Sequence, residues 1–176
     1  MMQTSDQTSL RAQMAGTNIN AETFLATDYL NHFNEIVMLV EMVPDVPECL
    51  EDARIWQPKS YIQHFEDSGF SDRRLAIEAY HAAPLCYRGP LEEISRRLND
   101  KIGTLLMDIE ALVAEKRMGD CASRVEIASH EIKTMIQLAS AVIYGTSEAT
   151  TAADIDLILA ETVRDDISQD EIDKLF

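Results

Sequence analysis

The chain has 176 residues and a hydrophobic content of 46%, which is enough for one globular domain with a real core. It contains only 6 Gly and 5 Pro, which disfavours an all-β architecture because such folds need many turns. The formal net charge of −16 argues against nucleic acid and anionic membrane surfaces as partners, because both are bound through Lys and Arg.

Residues 1–20 are rich in Gln, Thr and Ser and have no sustained apolar period, so we expect a mobile N-terminal tail. Residues 21–145 are predicted to form a helical domain. Asn20 is expected to cap its first helix, which should run from residue 21 to about residue 43 and end at Pro44. The apolar positions of this segment share one broad face, as in an amphipathic helix.

Residues 44–90 carry several Pro and Gly residues, and this spacing predicts short helices. The predicted segments are residues 47–56, 59–67 and 72–83. Ser71 is expected to cap the third of them, and Pro84 to end it. Trp56 lies just before a proline, which indicates a packing residue at a helix junction.

Two long amphipathic segments follow, and Pro90 is expected to open the first of them. Apolar residues recur at three- and four-residue steps over residues 91–116 and again over 121–144. A turn of about four residues between them requires antiparallel packing. The sequence therefore predicts an all-α helical bundle with a long antiparallel helix hairpin over about residues 91–144. Such a hairpin rarely covers itself fully, so a homodimer through it is also expected.

The sequence shows no motif for a metal or a cofactor. The cysteines (Cys49, Cys86 and Cys121) are odd in number and far apart, and the four histidines are scattered, so no metal site is predicted. No nucleotide-binding fingerprint is present, and we predict no cofactor. No apolar run reaches 18 residues, so no membrane insertion is expected. Without a signal-peptide pattern, the expected location is the reducing cytoplasm.

Residues 146–176 are predicted to form an acidic linker followed by a docking helix. They hold nine Asp and Glu against Arg164 and Lys174. Ser168 can cap a short helix, with Glu171 completing a capping box. The apolar residues Ile172, Leu175 and Phe176 then fall on one stripe. A helix this short is not stable alone, so we expect it to dock on its own domain or on a partner.

The run Ser168-Gln169-Asp170-Glu171-Ile172-Asp173-Lys174-Leu175 resembles the CheY-binding peptide at the N-terminus of the bacterial flagellar motor switch protein. It is more loosely similar to the C-terminal docking helix of the chemotaxis phosphatase CheZ. The likeness covers about nine of 176 residues. This segment differs from the switch-protein peptide because it lies at the C-terminus and carries Lys174. No family is recognised for residues 1–145. The resemblance implies that a CheY-like receiver domain is bound by Ser168, Gln169, Asp170, Glu171, Ile172, Asp173, Leu175 and Phe176.

Residues 151–159 align without gaps on residues 168–176. Thr151 takes the cap position, and the possible second docking helix is carried by Asp154, Ile155, Ile158 and Leu159. Two copies of a docking helix on one tail would raise avidity through effective concentration. The alternative is that capped amphipathic helices resemble one another by chance.

The enzyme class that the sequence leaves as an alternative is a response-regulator phosphatase. CheZ needs an acid and a Gln four residues later, but Lys133 stands four residues before Gln137, so that pattern is absent from the hairpin. The CheC/CheX group uses an acid and an Asn three residues later, a spacing that Asp28 and Asn31 fit. The sequence thus favours a chemotaxis or motility adaptor. The alternatives are a protein-aspartyl-phosphate phosphatase and a structural bundle whose last helix packs on its own core.

Overall fold

A computed structural model describes residues 4–147 and 151–160 of the chain. Within these ranges the fold is all-α, as predicted, and the β-structure found there is an isolated bridge between Ile19 and Ala26. In chain order the elements are α1 (Thr4–Met14), a 3₁₀ helix (Thr27–Leu30), α2 (Asn31–Met42), α3 (Cys49–Ile55), α4 (Tyr61–Asp67), α5 (Arg73–Ala82), α6 (Leu85–Ala114) and α7 (Met118–Tyr144). Residues 152–160 form a further helical segment, which we call the tail helix.

The antiparallel hairpin of α6 and α7 is the central element, as the sequence predicted. Its apolar stripes face each other and are buried, with Leu98 and Ile132 fully enclosed. Ion pairs from Lys101 to Glu131 and from Arg124 to Asp108 link the two helices at the edges of this interface. The remaining helices lie around the hairpin, and α2 and α3 both contact it.

The hairpin begins earlier than expected, because α6 starts at Leu85 and contains Pro90. Pro84 is the N-cap residue, and its carbonyl accepts the N–H groups of Tyr87 and Arg88 at 3.0 Å each. The first turn therefore closes before Pro90 is reached, and the proline withholds only a single hydrogen bond from the helix. The prediction that Pro90 opens the helix is wrong for this reason.

The C-terminal end of α7 is the stop that the sequence predicted. Gly145 has φ of +72°, and its N–H bonds the Val142 carbonyl at 3.1 Å. The next N–H, that of Thr146, reaches back to Ala141 at 2.9 Å. A left-handed residue with this bonding satisfies the last carbonyls of a helix.

The helix predicted over residues 21–43 is wrong at its start, because α2 begins only at Asn31. Asn20 does accept backbone N–H groups through its side chain, at 2.8 and 3.0 Å, as a cap would. The following turn is not helical, because Phe24 has a positive φ of 64°. Thr23 secures this conformation by donating from Oγ1 to a carbonyl of α7 at 2.6 Å in the buried core.

The N-terminal region also differs from the mobile tail expected over residues 1–20. Helix α1 covers most of it, and Leu10 and Met14 are each only 2% exposed. Arg11 of α1 lies over the Phe24 ring at 5.4 Å from its centroid. Two apolar side chains at i and i+4 are too few to give a sequence period, yet they suffice to dock one helical face.

The short helices between residues 44 and 84 follow the prediction closely in position. Helix α4 has a complete capping box, in which Ser60 and Gln63 exchange side-chain to backbone hydrogen bonds at 3.3 and 3.0 Å. Helix α5 begins one residue later than predicted, and its N-cap is Asp72 instead of Ser71. These helices hold an aromatic cluster against the hairpin, in which the Tyr61 and Tyr80 rings stack at 4.4 Å.

Candidate functional site

The tail helix, predicted as a second docking helix, is docked on its own domain. Its apolar stripe faces inward, because Ile155 is fully buried and Ile158 and Leu159 are partly buried against the same core. Leu159 lies beside Lys101 of α6 and Met135 of α7. The stripe predicted for a partner therefore packs on the chain's own core in this structure.

The N-terminus of the tail helix carries the predicted cap. The Thr151 hydroxyl accepts the Asp154 N–H at 3.2 Å, and the Asp154 carboxylate accepts the Thr151 N–H at 2.8 Å. This reciprocal pair is a capping box, which satisfies donors that a helix start would otherwise leave free. The local pattern therefore specifies the helix, and the stripe specifies how it docks.

A charged contact accompanies the apolar stripe. The Arg97 guanidinium on α6 pairs with the Asp156 carboxylate and also donates to the Ala152 carbonyl at 3.4 Å. Arg97 also donates to Glu93, and hydrogen bonds from Arg96 and Arg97 lower the pKa of Glu93 to about 2. Glu93 therefore stays ionised and holds the guanidinium in place toward the tail helix.

Open space adjoins the C-terminal end of the docked tail helix. A shallow cavity of about 550 Å³ and a smaller one of about 140 Å³ meet at Leu159. Their walls come from α6 and α7 and include Lys101, Thr104, Thr134 and Met135. We call these four residues together with Arg97 the cradle.

The principal sites predicted from the sequence fall outside the described residues. These are the partner-binding residues of the last segment: Ser168, Gln169, Asp170, Glu171, Ile172, Asp173, Leu175 and Phe176.

Asp28 and Asn31, the pair predicted from CheC/CheX-type spacing, line one cleft of about 380 Å³. Asp28 belongs to the 3₁₀ helix and Asn31 is the first residue of α2. One carboxylate oxygen of Asp28, Oδ2, is buried and has no hydrogen-bond partner within the described part of the chain. Buried polar atoms are normally hydrogen-bonded, so this oxygen keeps an unused acceptor capacity.

Gln137 of α7 lines the same cleft from the opposite side, and Asn34 of α2 lies next to Asn31. An acid and several amides therefore meet here, although Gln137 has no acid at the spacing that CheZ requires. The sequence could not indicate this meeting, because Asp28 and Gln137 come from elements far apart in the chain. The arrangement could orient a water molecule or a polar backbone group.

Two histidines that looked scattered in the sequence lie together. The His32 ring stacks on Trp56 at 4.7 Å, and the His64 ring centroid is 6.1 Å from that of His32. Burial, followed by the charges of His64 and Lys59, lowers the pKa of His32 to about 4. Burial also lowers the pKa of His64. Trp56 donates from Nε1 to the His32 carbonyl at 3.1 Å, so it links the C-terminal end of α3 to α2.

A further cavity of about 270 Å³ was not anticipated from the sequence. Its walls include the stacked Tyr61 and Tyr80, with Tyr29, Ser95 and Asn99 behind them. Helical spacing marks these residues only as core or surface positions, so no pattern signals that they converge.

The described residues 4–147 and 151–160 contain no cluster of three or more His, Cys, Asp or Glu side chains that could hold a metal ion. Over the same ranges, no helix combines the length and apolar character that crossing a membrane would require. Comparisons of the chain with protein-family models, with curated proteins and with solved structures give no match.

Proposed function

We propose that the protein is a cytoplasmic adaptor of bacterial chemotaxis or motility that binds a CheY-like response regulator through residues 168–176. The mode would be helix-in-groove recognition, in which an amphipathic helix lays its apolar face on a partner. The observation that carries the proposal is the tail helix. A segment with the same residue pattern forms a capped helix whose Ile and Leu stripe packs on an apolar surface, here that of its own domain.

In this proposal Ile172, Leu175 and Phe176 are the apolar anchors. Asp170, Glu171 and Asp173 supply charge complementarity to a basic surface. Ser168 and Glu171 cap the helix, as Thr151 and Asp154 do in the tail helix. The strong negative charge of the whole chain would speed association with a basic receiver surface and make it dependent on salt.

The test is binding of the full chain to candidate CheY-like receivers, with and without a phosphoryl mimic. We expect tail-dependent binding that strengthens with the mimic and weakens at least about tenfold in Ile172→Asp, because a buried apolar anchor becomes charged. Leu157→Asp is the matched control, since Leu157 is 60% exposed and carries the same change. Unchanged affinity in Ile172→Asp, or in a chain ending at Asp165, would rule the proposal out.

A second candidate function is a response-regulator phosphatase of CheZ-like or CheC-like type. The specific observation is that Asp28, Asn31 and Gln137 line one cleft, and that one carboxylate oxygen of Asp28 is buried without a hydrogen-bond partner within the described residues. An acid that engages the receiver and an amide that orients the attacking water are the two groups that this chemistry needs.

This alternative predicts that the protein speeds loss of the receiver's phosphoryl group. Asp28→Ala and Asn31→Ala should each slow that loss, and Gln137→Ala tests the amide from α7. Glu126→Ala is a control, because Glu126 is an exposed residue of the same helix outside the cleft. Equal rates with and without the protein would exclude the activity.

Homodimerisation through the 91–144 hairpin stays a prediction. The large hydrophobic side chains that the hairpin exposes are Met107, Ile127 and Tyr144, at 64%, 59% and 57%. Sedimentation of wild type and of Ile127→Asp would test whether this surface joins two copies. The structural-bundle alternative predicts protection of residues 167–176 from hydrogen exchange in the absence of any partner.

A further inference from the structure

We infer that the cradle is a receptor for the docking pattern itself, and that residues 168–176 of the same chain can replace the tail helix in it. The two segments would then compete for one surface on α6 and α7. This inference concerns a contact within the chain and does not depend on receiver binding.

The register of the two segments matches at the positions that make contacts. The fully buried Ile155 corresponds to Ile172, and the partly buried Ile158 corresponds to Leu175. Each pair differs by 17 positions, as do the two cap residues, so a single alignment satisfies all of them. A surface that holds the first stripe presents the same holes to the second.

The charged contact is also conserved between the two segments. Asp156, which pairs with Arg97, corresponds to Asp173. Arg97 is fixed by Glu93, and its side chain is only 21% exposed, so it can meet either carboxylate without rearranging. In both segments the remaining apolar residues of the stripe follow the acidic residue. The two segments therefore present the same types of residue to the cradle in the same order.

The cradle has room for the one large difference between the segments. Leu159 corresponds to Phe176, whose ring is larger than the leucine side chain. Two cavities border Leu159 and offer space for a larger side chain, and Met135 forms part of their wall. Thioether sulfur makes favourable contacts with aromatic rings, so a phenylalanine at this position can be accommodated beside Met135.

The chain is long enough for the exchange. With residues 168–176 in the cradle, the 20 residues 148–167 would connect α7 to it. At roughly 3.3–3.6 Å per residue, they reach about 65 Å, which exceeds the length of about 40 Å that 27 helical residues give α7. A covalent link of this length holds residues 168–176 near the cradle at an effective concentration on the order of millimolar, which favours docking within the chain.

The experiment places the photo-crosslinking residue p-benzoylphenylalanine at Thr104 of the full chain. Thr104 is exposed and lines the cavity beside Leu159. In the wild-type sequence we expect crosslinks mainly to residues 152–160. In Ile155→Asp, which dislodges the tail helix, crosslinks to residues 168–176 should rise at least fivefold. Leu157→Asp is the control and should leave the pattern unchanged, because this side chain is exposed on the same helix.

Two additional variants keep the result decisive. Asp156→Lys removes the pairing with Arg97 from an exposed position, so it should shift the crosslinks in the same direction without a change in the core. Adding Ile172→Asp to either variant should abolish the new crosslinks. Mixing ¹⁵N-labelled and unlabelled chains shows whether each crosslink joins one chain or two.

The inference is overturned if dislodging the tail helix produces no crosslinks to residues 168–176, or if those crosslinks join two chains. It is also overturned if the wild-type sequence gives no crosslink to residues 152–160. Failure of receiver binding would leave these outcomes unaffected, so the two proposals can be judged separately.

Discussion

The environment of His32 predicts a specific loss of stability in mild acid. The side chain is 6% exposed, stacks on Trp56, and has a pKa lowered to about 4. The titratable groups that act on it are His64 and Lys59, whose charges also oppose protonation of His32, and Glu35 and Asp52 line the adjoining cavity. Protonating His32 in the folded protein is therefore costly.

The direction and size of the effect follow from linkage. The unfolded chain binds the proton near pH 6.5 and the folded protein only near pH 4, so the unfolded state holds more protons in between. The stability associated with neutral His32 is present above pH 6.5 and is lost as the pH falls through 4. The full loss is about 3 kcal/mol, of which about 2 kcal/mol is expected between pH 7.5 and pH 5.

The assay is urea unfolding of wild type and His32→Phe at pH 7.5 and pH 5. Phenylalanine can keep the stacking on Trp56 but cannot bind the proton, so the variant should lose about 2 kcal/mol less than wild type over this interval. His81→Phe is the control, because His81 is exposed. If wild type and His32→Phe lose the same stability, the reasoning is refuted.

Two further predictions concern the place where α7 ends. Gly145→Ala should lower the free energy of unfolding by about 1–2 kcal/mol, because φ is +72° and a Cβ would lie 3.2 Å from Thr23 Cγ2. The control is Gly119→Ala, which should not destabilise the protein because Gly119 lies in a helix with open space around it. Equal melting temperatures for the two variants would contradict the prediction for Gly145. Thr23→Val should cost about 1–3 kcal/mol in urea unfolding, because it leaves a buried carbonyl of α7 without its donor. Thr104→Val in α6 serves as the exposed control for the second change, because the Thr104 hydroxyl bonds the Asp100 carbonyl of its own helix at the surface; a Thr23→Val loss no larger than that of Thr104→Val would refute it.

How far the sequence predicts this fold depends on how local the cause of each element is. The hairpin was predictable because its apolar period continues over many turns, and Gly145 because a left-handed cap needs glycine. The conformation of Phe24 was not, because it is held by a hydrogen bond from Thr23 to a distant helix. The prediction that Pro90 opens α6 was wrong because the helix already begins after its N-cap residue, Pro84.

The candidate sites likewise divide into features that the local sequence specifies and features that depend on tertiary packing. The cap and stripe of the tail helix were predictable from nine residues, whereas the surface that receives them was not, because Arg97 and Met135 become a cradle only after the hairpin forms. The approach of His32 to His64 and the meeting of Asp28 with Gln137 are likewise consequences of tertiary packing. Spacing within one helix could reveal neither.

The hydrogen bond from Thr23 to the Ile143 carbonyl has a consequence for the order of folding. It joins residues 120 positions apart, so it closes a loop that spans most of the domain. The hairpin is made of contacts closer in sequence, which cost less loop entropy and can form first. We therefore expect α6 and α7 to pair early and the 20–26 segment to lock onto the end of α7 late. The point from which the acidic tail leaves the domain is then among the last parts of the fold to become rigid.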